Sequence, residues 1–338
     1  MIGALDIALV TGLHGPAWRL APTPGAGTGW LVGRTAGEAA RLLPRVFNLC
    51  AGAHEAAARA ALGLPLMDNP ARTRRERVRE HALAILADWP ALFGRTPDRA
   101  ALRHLGGQGG AEGLRTALLG TEIDLANGTL RTLEHWLRAG PSPTARLLAH
   151  CRETIDPAWG RAELPAPGLA DIAAALEQGA PPEPRETTVA DGWRRVPLLR
   201  ELMAAEGASL FARLLARLID LLACLDPREA PGETLPAAPG IGLARAARGL
   251  LAHRASVAGG IVTDYRVLSP SAWNLAPGGL LQRALDALPI GPHTSMLARL
   301  VVACVNPCVP VTLRLDAPEG RLHAVSYTHL TLPTTPYV

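Results

Sequence analysis

The sequence predicts a mostly α-helical α+β chain, with a helical bundle core and small β elements. Two observations carry the prediction. Apolar residues recur at helical spacing through most of the 338 residues, most densely over 210–225. Strand texture is confined to the first 20 residues and to two runs, 254–257 and 261–267. Those runs flank Ala258-Gly259-Gly260, which reads as a hairpin turn. A content of 48% hydrophobic and 19% charged residues is globular and can fill one large core.

In chain order, residues 4–11 and 17–20 read as short strands, and the Pro/Gly run 22–29 as a loop. A helix over 35–43 should end at Pro44. The next, 52–62, is alanine-rich, and Ala57, Ala58 and Ala61 leave room for another backbone to come close. Residues 72–93 form a long amphipathic helix whose charged start, 72–77, is expected to face solvent. Pro90 should kink or end it. The glycines of 106–110 make a turn, and helices follow at 114–119, 128–138, 142–154 and 170–177. The Pro-rich stretch 180–186 is expected to be an exposed connector. Helices then cover 197–206, 208–225, 278–288 and 294–305, the last delivering the chain to Cys308 and leaving Cys304 in the core. Residues 1–325 are assigned to a single domain. The Thr- and Tyr-rich tail 326–338 is unlike everything before it and reads as non-native adaptor read-through.

Every Lys/Arg position is an arginine, yet the net charge of +4 over this length is mild. No basic stripe with interleaved aromatics occurs, so nucleic acid is not an expected partner. Residues 210–225 carry Arg213, Arg217 and Asp220, which makes them a buried helix and not a membrane span. The start of the chain shows no signal-peptide pattern, and the five cysteines (50, 151, 224, 304, 308) form no framework. The expected location is the cytoplasm, with thiols reduced.

Cysteine chemistry centres on two distant stretches. One runs from Arg45 through Phe47, Cys50 and His54, and the other is Asn306-Pro307-Cys308 followed by Val311. Thiolates are soft metal ligands, and His54, four residues after Cys50, falls on the same side of a helix start. Ligand type alone also admits a zinc site from Cys50, His54 and Cys308, though no Cys-x-x-Cys pair supports it. Cys151, Cys224 and Cys304 read as core or surface thiols. Between the two stretches lie Arg245-Ala-Ala-Arg248-Gly-Leu-Leu-Ala-His253 and Pro270-Ser271-Ala-Trp273-Asn274-Leu-Ala-Pro277, in which Trp273 and Asn274 serve the fold.

In that order the four stretches resemble the motifs of the large subunit of nickel–iron hydrogenases. There each cysteine motif is a Cys-x-x-Cys pair; here Phe47 and Val311 replace one member of each. The resemblance implies a shortened, degenerate large-subunit fold with the two cysteine motifs meeting at its centre. Cys50 and Cys308 become metal ligands, His54 a partner near a bridging sulfur, and Arg248, Pro270 and Ser271 a cradle for cyanides on iron. Charge-assisted bonds from an always-protonated Arg suit such anionic acceptors. With two thiolates missing, nickel is not expected and hydrogen turnover should be absent. The pattern is similar to accessory proteins of the HupK/HoxV type. That similarity implies a non-catalytic maturation scaffold that transiently carries an Fe(CN)2(CO) unit, with the hydrogenase large subunit and accessory proteins as partners. A metal-free interaction protein is the alternative, and an active hydrogenase is less expected. The related quinone-reducing subunit of respiratory complex I is disfavoured by retention of Cys50, Arg248 and Asn306-Pro307-Cys308.

Overall fold

Helix Leu210–Leu225 is where the bundle closes. Every residue from Leu210 to Cys224 is buried, so this helix is wrapped on all sides. Its N-terminus is fixed by Ser209, whose hydroxyl accepts from the Ala212 N–H at 3.1 Å. The computed structural model describes residues 2–12, 15–66, 71–107, 109–181, 183–226 and 238–315, and the backbone of 234–235 and 323–327. Among these residues no helix is long and apolar enough to cross a membrane.

Two of the three charges on this helix, Asp220 and Arg213, survive burial in ion pairs. Asp220 accepts from the Arg77 guanidinium, from His81 Nε2 at 2.6 Å and from Trp193 Nε1 at 2.6 Å. Burial alone would raise the Asp220 pKa, but Arg77 and the hydrogen bonds hold it well below the usual carboxylate range. Arg213 pairs with Glu186 and donates to the Ala162 carbonyl at 2.7 Å. Burial lowers Arg217 to about 10.

Two four-stranded sheets flank the bundle. In the first the order is β2-β1-β7-β8, with β1 at Ile2–Gly12, β2 at Gly15–Pro24, β7 at Val311–Leu315 and β8 at His323–Tyr327. β1 and β7 run parallel, with Leu5 opposite Val311, so residues from the two ends of the described chain lie side by side. Ser326 and Tyr327 belong to β8, and 328–338 lie outside the described residues. The second sheet is an antiparallel meander of β3 (Thr234–Leu235), β4 (Ile241–Ala246), β5 (Gly249–Ala258) and β6 (Ile261–Leu268). The β5–β6 turn is Gly259-Gly260, with φ of 57° and 80°, the double left-handed geometry that two-residue hairpins prefer.

Helix α1 (Ala36–Val46) starts at a Thr35–Glu38 capping box and leads into α2 (Ala51–Ala61), which lies across β4 and β5. The small residues of α2 permit very close contact, as expected. A Cβ at Gly242 of β4 would stand 1.9 Å from the Ala57 carbonyl oxygen and 2.7 Å from the Ala61 nitrogen.

Several local expectations are corrected. α1 does not stop at Pro44 but runs to Val46 and closes with a 2.9 Å bond from the Phe47 N–H to the Leu43 carbonyl. The charged start of α3 (Ala71–Leu83) does not face solvent as a block: Thr73 and Arg77 are buried, one against Gly52 of α2 and the other against Asp220. Pro90 does not end this helical run. A π segment, Ala84–Asp88, precedes Trp89–Leu92, so Pro90 sits in a first turn, where a missing N–H is tolerated. Within 180–186, Glu183 is exposed whereas Glu186 is buried against Arg213.

Candidate functional site

The Cys50 wall is built by a break between two helices. After α1 the chain makes a 3-10 turn, Asn48–Cys50, and Cys50 becomes the N-cap of α2. Its thiol does not cap the helix. Glu76 of α3 does so instead, both of its carboxylate oxygens accepting from the Gly52 N–H at 2.9 and 3.1 Å. Cys50 is 9% exposed, and burial pushes its thiol up to about 12, with the Arg248 guanidinium pulling the other way.

The Cys308 wall is built by a helix stop. Helix Thr294–Val305 ends at Asn306, the one non-glycine residue at positive φ (51°) among those described; Asn tolerates this conformation better than other side chains. Two residues later the Cys308 N–H donates to Ser271 Oγ at 2.8 Å, and that hydroxyl lies 2.9 Å from Cys308 Sγ. With its oxygen accepting from the amide, the Ser271 O–H is free to donate to the sulfur. Ser271 is held in a short helix, Pro270–Asn274, capped by Ser269. Pro270 takes the first helical position, and its carbonyl accepts from the Thr187 hydroxyl at 3.3 Å. Asn274 Oδ1 accepts the Thr187 N–H at 3.1 Å, so Asn274 ties this turn to the chain before it.

Arg248 sits at the tip of the β4–β5 hairpin, where Ala246 pairs with Gly249 and Ala247-Arg248 make the turn. It is 2% exposed. Nη2 donates to Glu80 at 2.9 Å, while Nε and Nη1 are buried without a partner among the described residues. Unpaired buried donors are costly, so they mark a place where an acceptor belongs.

Cys50, His54 and Cys308 line one cavity of about 200 Å3, together with Phe47, Val267, Ser269 and the glycines Gly3 and Gly25. The Phe47 ring stacks flat on His54, with centroids 4.5 Å apart. His54 Nδ1 lies 3.0 Å from His253 Nε2, and His253 Nδ1 lies 2.7 Å from the Tyr265 hydroxyl. Burial holds His54 at about 3 and His253 well below the usual histidine range, and it raises Tyr265.

The structure thus gathers Cys50, His54 and Cys308 around one space and attaches Ser271 to Cys308. Arg248 is not in the lining and acts on Cys50 from outside it. Val311 is buried in β7, away from any ligand role. The zinc reading does not assemble, because among the described residues no three His, Cys, Asp or Glu side chains converge to hold a metal ion. Sequence reasoning missed Glu76, Glu80 and Tyr265. The i,i+4 spacing of Glu76 and Glu80, which puts both on one face of α3, was a usable signal. Tyr265 is the only tyrosine outside the atypical tail.

Comparison with known proteins gives a consistent set. The sequence pattern of the family described as nickel-dependent hydrogenase matches residues 186–284, a span that includes Arg248, His253, Tyr265 and Ser271. The hydrogenase expression/formation protein HupK of Rhodobacter capsulatus is 35% identical over 297 residues, covering 84% of this chain and 88% of that protein. The hydrogenase expression/formation protein HoxV of Cupriavidus necator is 29% identical, covering 87% and 92%. Among solved structures, an NAD+-reducing [NiFe]-hydrogenase in its H2-reduced state superposes with a TM-score of 0.56 at 17% identity, over 86% of this chain and 92% of that one. The reduced Ni-Fe-Se hydrogenase of Desulfovibrio vulgaris Hildenborough gives 0.54 at 15% identity, over 89% and 95%. These two likenesses bear on the fold, which is that of a shortened hydrogenase large subunit.

Proposed function

The chain belongs to the HupK/HoxV family of hydrogenase expression/formation proteins, and from that premise we propose that it is a non-catalytic scaffold of nickel–iron hydrogenase maturation. Its cargo is the Fe(CN)2(CO) unit, held transiently in the cytoplasm and passed on to the true large subunit with the help of accessory proteins. The observation that carries this reading is that two thiols far apart in sequence share one small cavity, with a buried, part-unpaired guanidinium beside one of them.

The residues fit such a cargo. Cys50 and Cys308 supply two soft donors to iron. Arg248 lies outside the lining, and its Nε and Nη1, without a partner among the described residues, would serve an anionic acceptor of the cyanide type that reaches past Cys50, while Glu80 keeps the guanidinium in place. Ser271 holds Cys308 from both its amide and its sulfur side. Pro270 starts the helix that sets Ser271. Because burial keeps the Cys50 thiol protonated, binding releases a proton, and the affinity for cargo rises with pH. The residues do not fit a four-sulfur nickel site, since the Phe47 ring covers His54 and Val311 lies in the sheet core.

The test is an infrared spectrum of protein purified without oxygen from cells that also make the cyanide and carbonyl ligands. Metal–cyanide and metal–carbonyl bands that vanish in Cys50→Ala are the expected result. Their absence from folded protein, with the ligand-forming machinery active, overturns the carrier. A second reading, a metal-free protein that holds hydrogenase subunits or accessory proteins, draws on the same protonated thiol: the resting cavity offers no ready thiolate at Cys50. It predicts that joint replacement of Cys50 and Cys308 leaves maturation and partner capture intact.

A further inference from the structure

Three buried side chains stand in line behind the cavity. His54 is 5% exposed, His253 is fully buried and Tyr265 is 3% exposed. Two contacts link them, His54 Nδ1 to His253 Nε2 at 3.0 Å and His253 Nδ1 to the Tyr265 hydroxyl at 2.7 Å. Each contact needs one hydrogen between its two heavy atoms. Two arrangements satisfy both contacts, and they differ in what His54 turns towards the cavity.

The choice is made at Tyr265. A phenol in a dry interior keeps its hydrogen, and that hydrogen needs an acceptor. Among the described residues the hydroxyl has one polar side-chain neighbour, His253 Nδ1. If His253 carried its proton on Nδ1, the Tyr265 O–H would be left buried with nothing to accept it. The phenol therefore donates to Nδ1, and a neutral His253 carries its own hydrogen on Nε2. That hydrogen goes to His54 Nδ1, which leaves His54 with its hydrogen on Nε2. This last nitrogen has no hydrogen-bond partner among the described residues, and His54 lines the cavity shared by Cys50 and Cys308.

We propose that Tyr265 and His253 are positioning residues that lock His54 as an N–H donor into the cavity, so that this wall recognises an anionic acceptor, a thiolate or a cyanide-type ligand, and cannot ligate a cation. The low proton affinity of both imidazoles agrees, because a chain of neutral rings is what such a lock requires. Phe47, stacked on the His54 ring, hinders the flip about the Cβ–Cγ bond that would carry Nδ1 away from His253. The lock itself follows from hydrogen-bond geometry alone; that the acceptor belongs to a metal cargo rests on the function proposed above.

The experiment is side-chain nitrogen NMR of protein carrying isotope-labelled histidine, near neutral pH and without metal. Both His54 and His253 are expected as Nε2–H tautomers. A proton on Nδ1 of either ring, or a charged ring, overturns the proposal. This measurement needs only the unmodified chain, so a variant that fails to fold does not remove the test. Tyr265→Phe removes the hydroxyl and little else, and both rings should then become tautomer mixtures; unchanged pure tautomers count against Tyr265 as the lock. His253→Gln can accept from Tyr265 and donate to His54, so His54 should stay Nε2–H, whereas His253→Leu should release it. Absence of any iron–cyanide bands with the tautomers as stated leaves the lock standing and removes only the cargo.

Discussion

Gly242→Ala tests how the fold holds its site. The new Cβ would lie 1.9 Å from the Ala57 carbonyl oxygen, against a floor of 3.0 Å for real contacts of this kind. The obstacle is backbone on an α-helix, so trimming Ala57 to glycine offers no relief. Helix α2 must lift off β4 by about 1.1 Å, and overpacking of this sort costs about 1–3 kcal/mol. The same shift reaches the site, because Gly242 sits opposite His253 in the β4–β5 ladder while α2 carries His54. The 3.0 Å bond between the two histidines stretches to roughly 4 Å, which is no longer a hydrogen bond. Urea unfolding followed by tryptophan fluorescence reads the first effect, and histidine nitrogen NMR reads the second. A variant within about 0.5 kcal/mol of the parent, the usual range for innocuous surface changes, with the imidazole pair intact would refute the reasoning.

Asp220→Asn should cost about 3–5 kcal/mol, because Arg77 stays buried and charged while the amide turns a donor towards groups that themselves donate. The Asp220 pKa is depressed in the folded chain, so its contribution is present above the ordinary carboxylate pKa of about 4 and is lost as pH falls below that. The variant should therefore lose stability at neutral pH and show a flatter acid limb in denaturation series; an unaltered acid limb contradicts this. Arg248→Gln removes the positive charge that lowers the Cys50 thiol, so alkylation of Cys50 followed by mass spectrometry should slow at a given alkaline pH, and faster labelling would count against the pairing. Asn306→Ala should cost about 1 kcal/mol in thermal unfolding because of its left-handed backbone, with Asn306→Gly near neutral.

Much of the fold was legible where the signal was local. Helices Pro197–Glu206 and Thr294–Val305 fall where the sequence puts them, each marked by a proline or a polar start and by apolar spacing. The Gly259-Gly260 turn and the burial of Cys304 follow from equally short-range features. What stayed hidden depends on distant partners. β4 has the texture of an Ala-rich helix, and it is a strand because α2 and β5 cover it. The face of α3 looked solvated because its charges were counted without Asp220, Gly52 and Arg248, which receive them. At the site, Cys50, His54 and Cys308 were legible as reactive residue types. The i,i+4 spacing of Glu76 and Glu80 marked only their shared face; Tyr265 and the pairing of Glu80 with Arg248 were not legible, since an ion pair across 168 positions leaves no local pattern.

The parallel pairing of β1 with β7 sets an order of events during synthesis. Cys50 leaves the ribosome early, followed by more than 250 further residues before Cys308 exists. Closing so long a loop costs roughly 5 kcal/mol of chain entropy, and contacts this far apart form late. The strand that borders Cys308 docks beside the first described strand, so the cavity has no second wall until the chain has been made past Cys308. A nascent chain therefore carries one of the two cavity thiols and no pocket. Under the carrier function proposed above, loading would wait until Cys308 has been made, and translation itself would keep an incomplete chain from sequestering cargo.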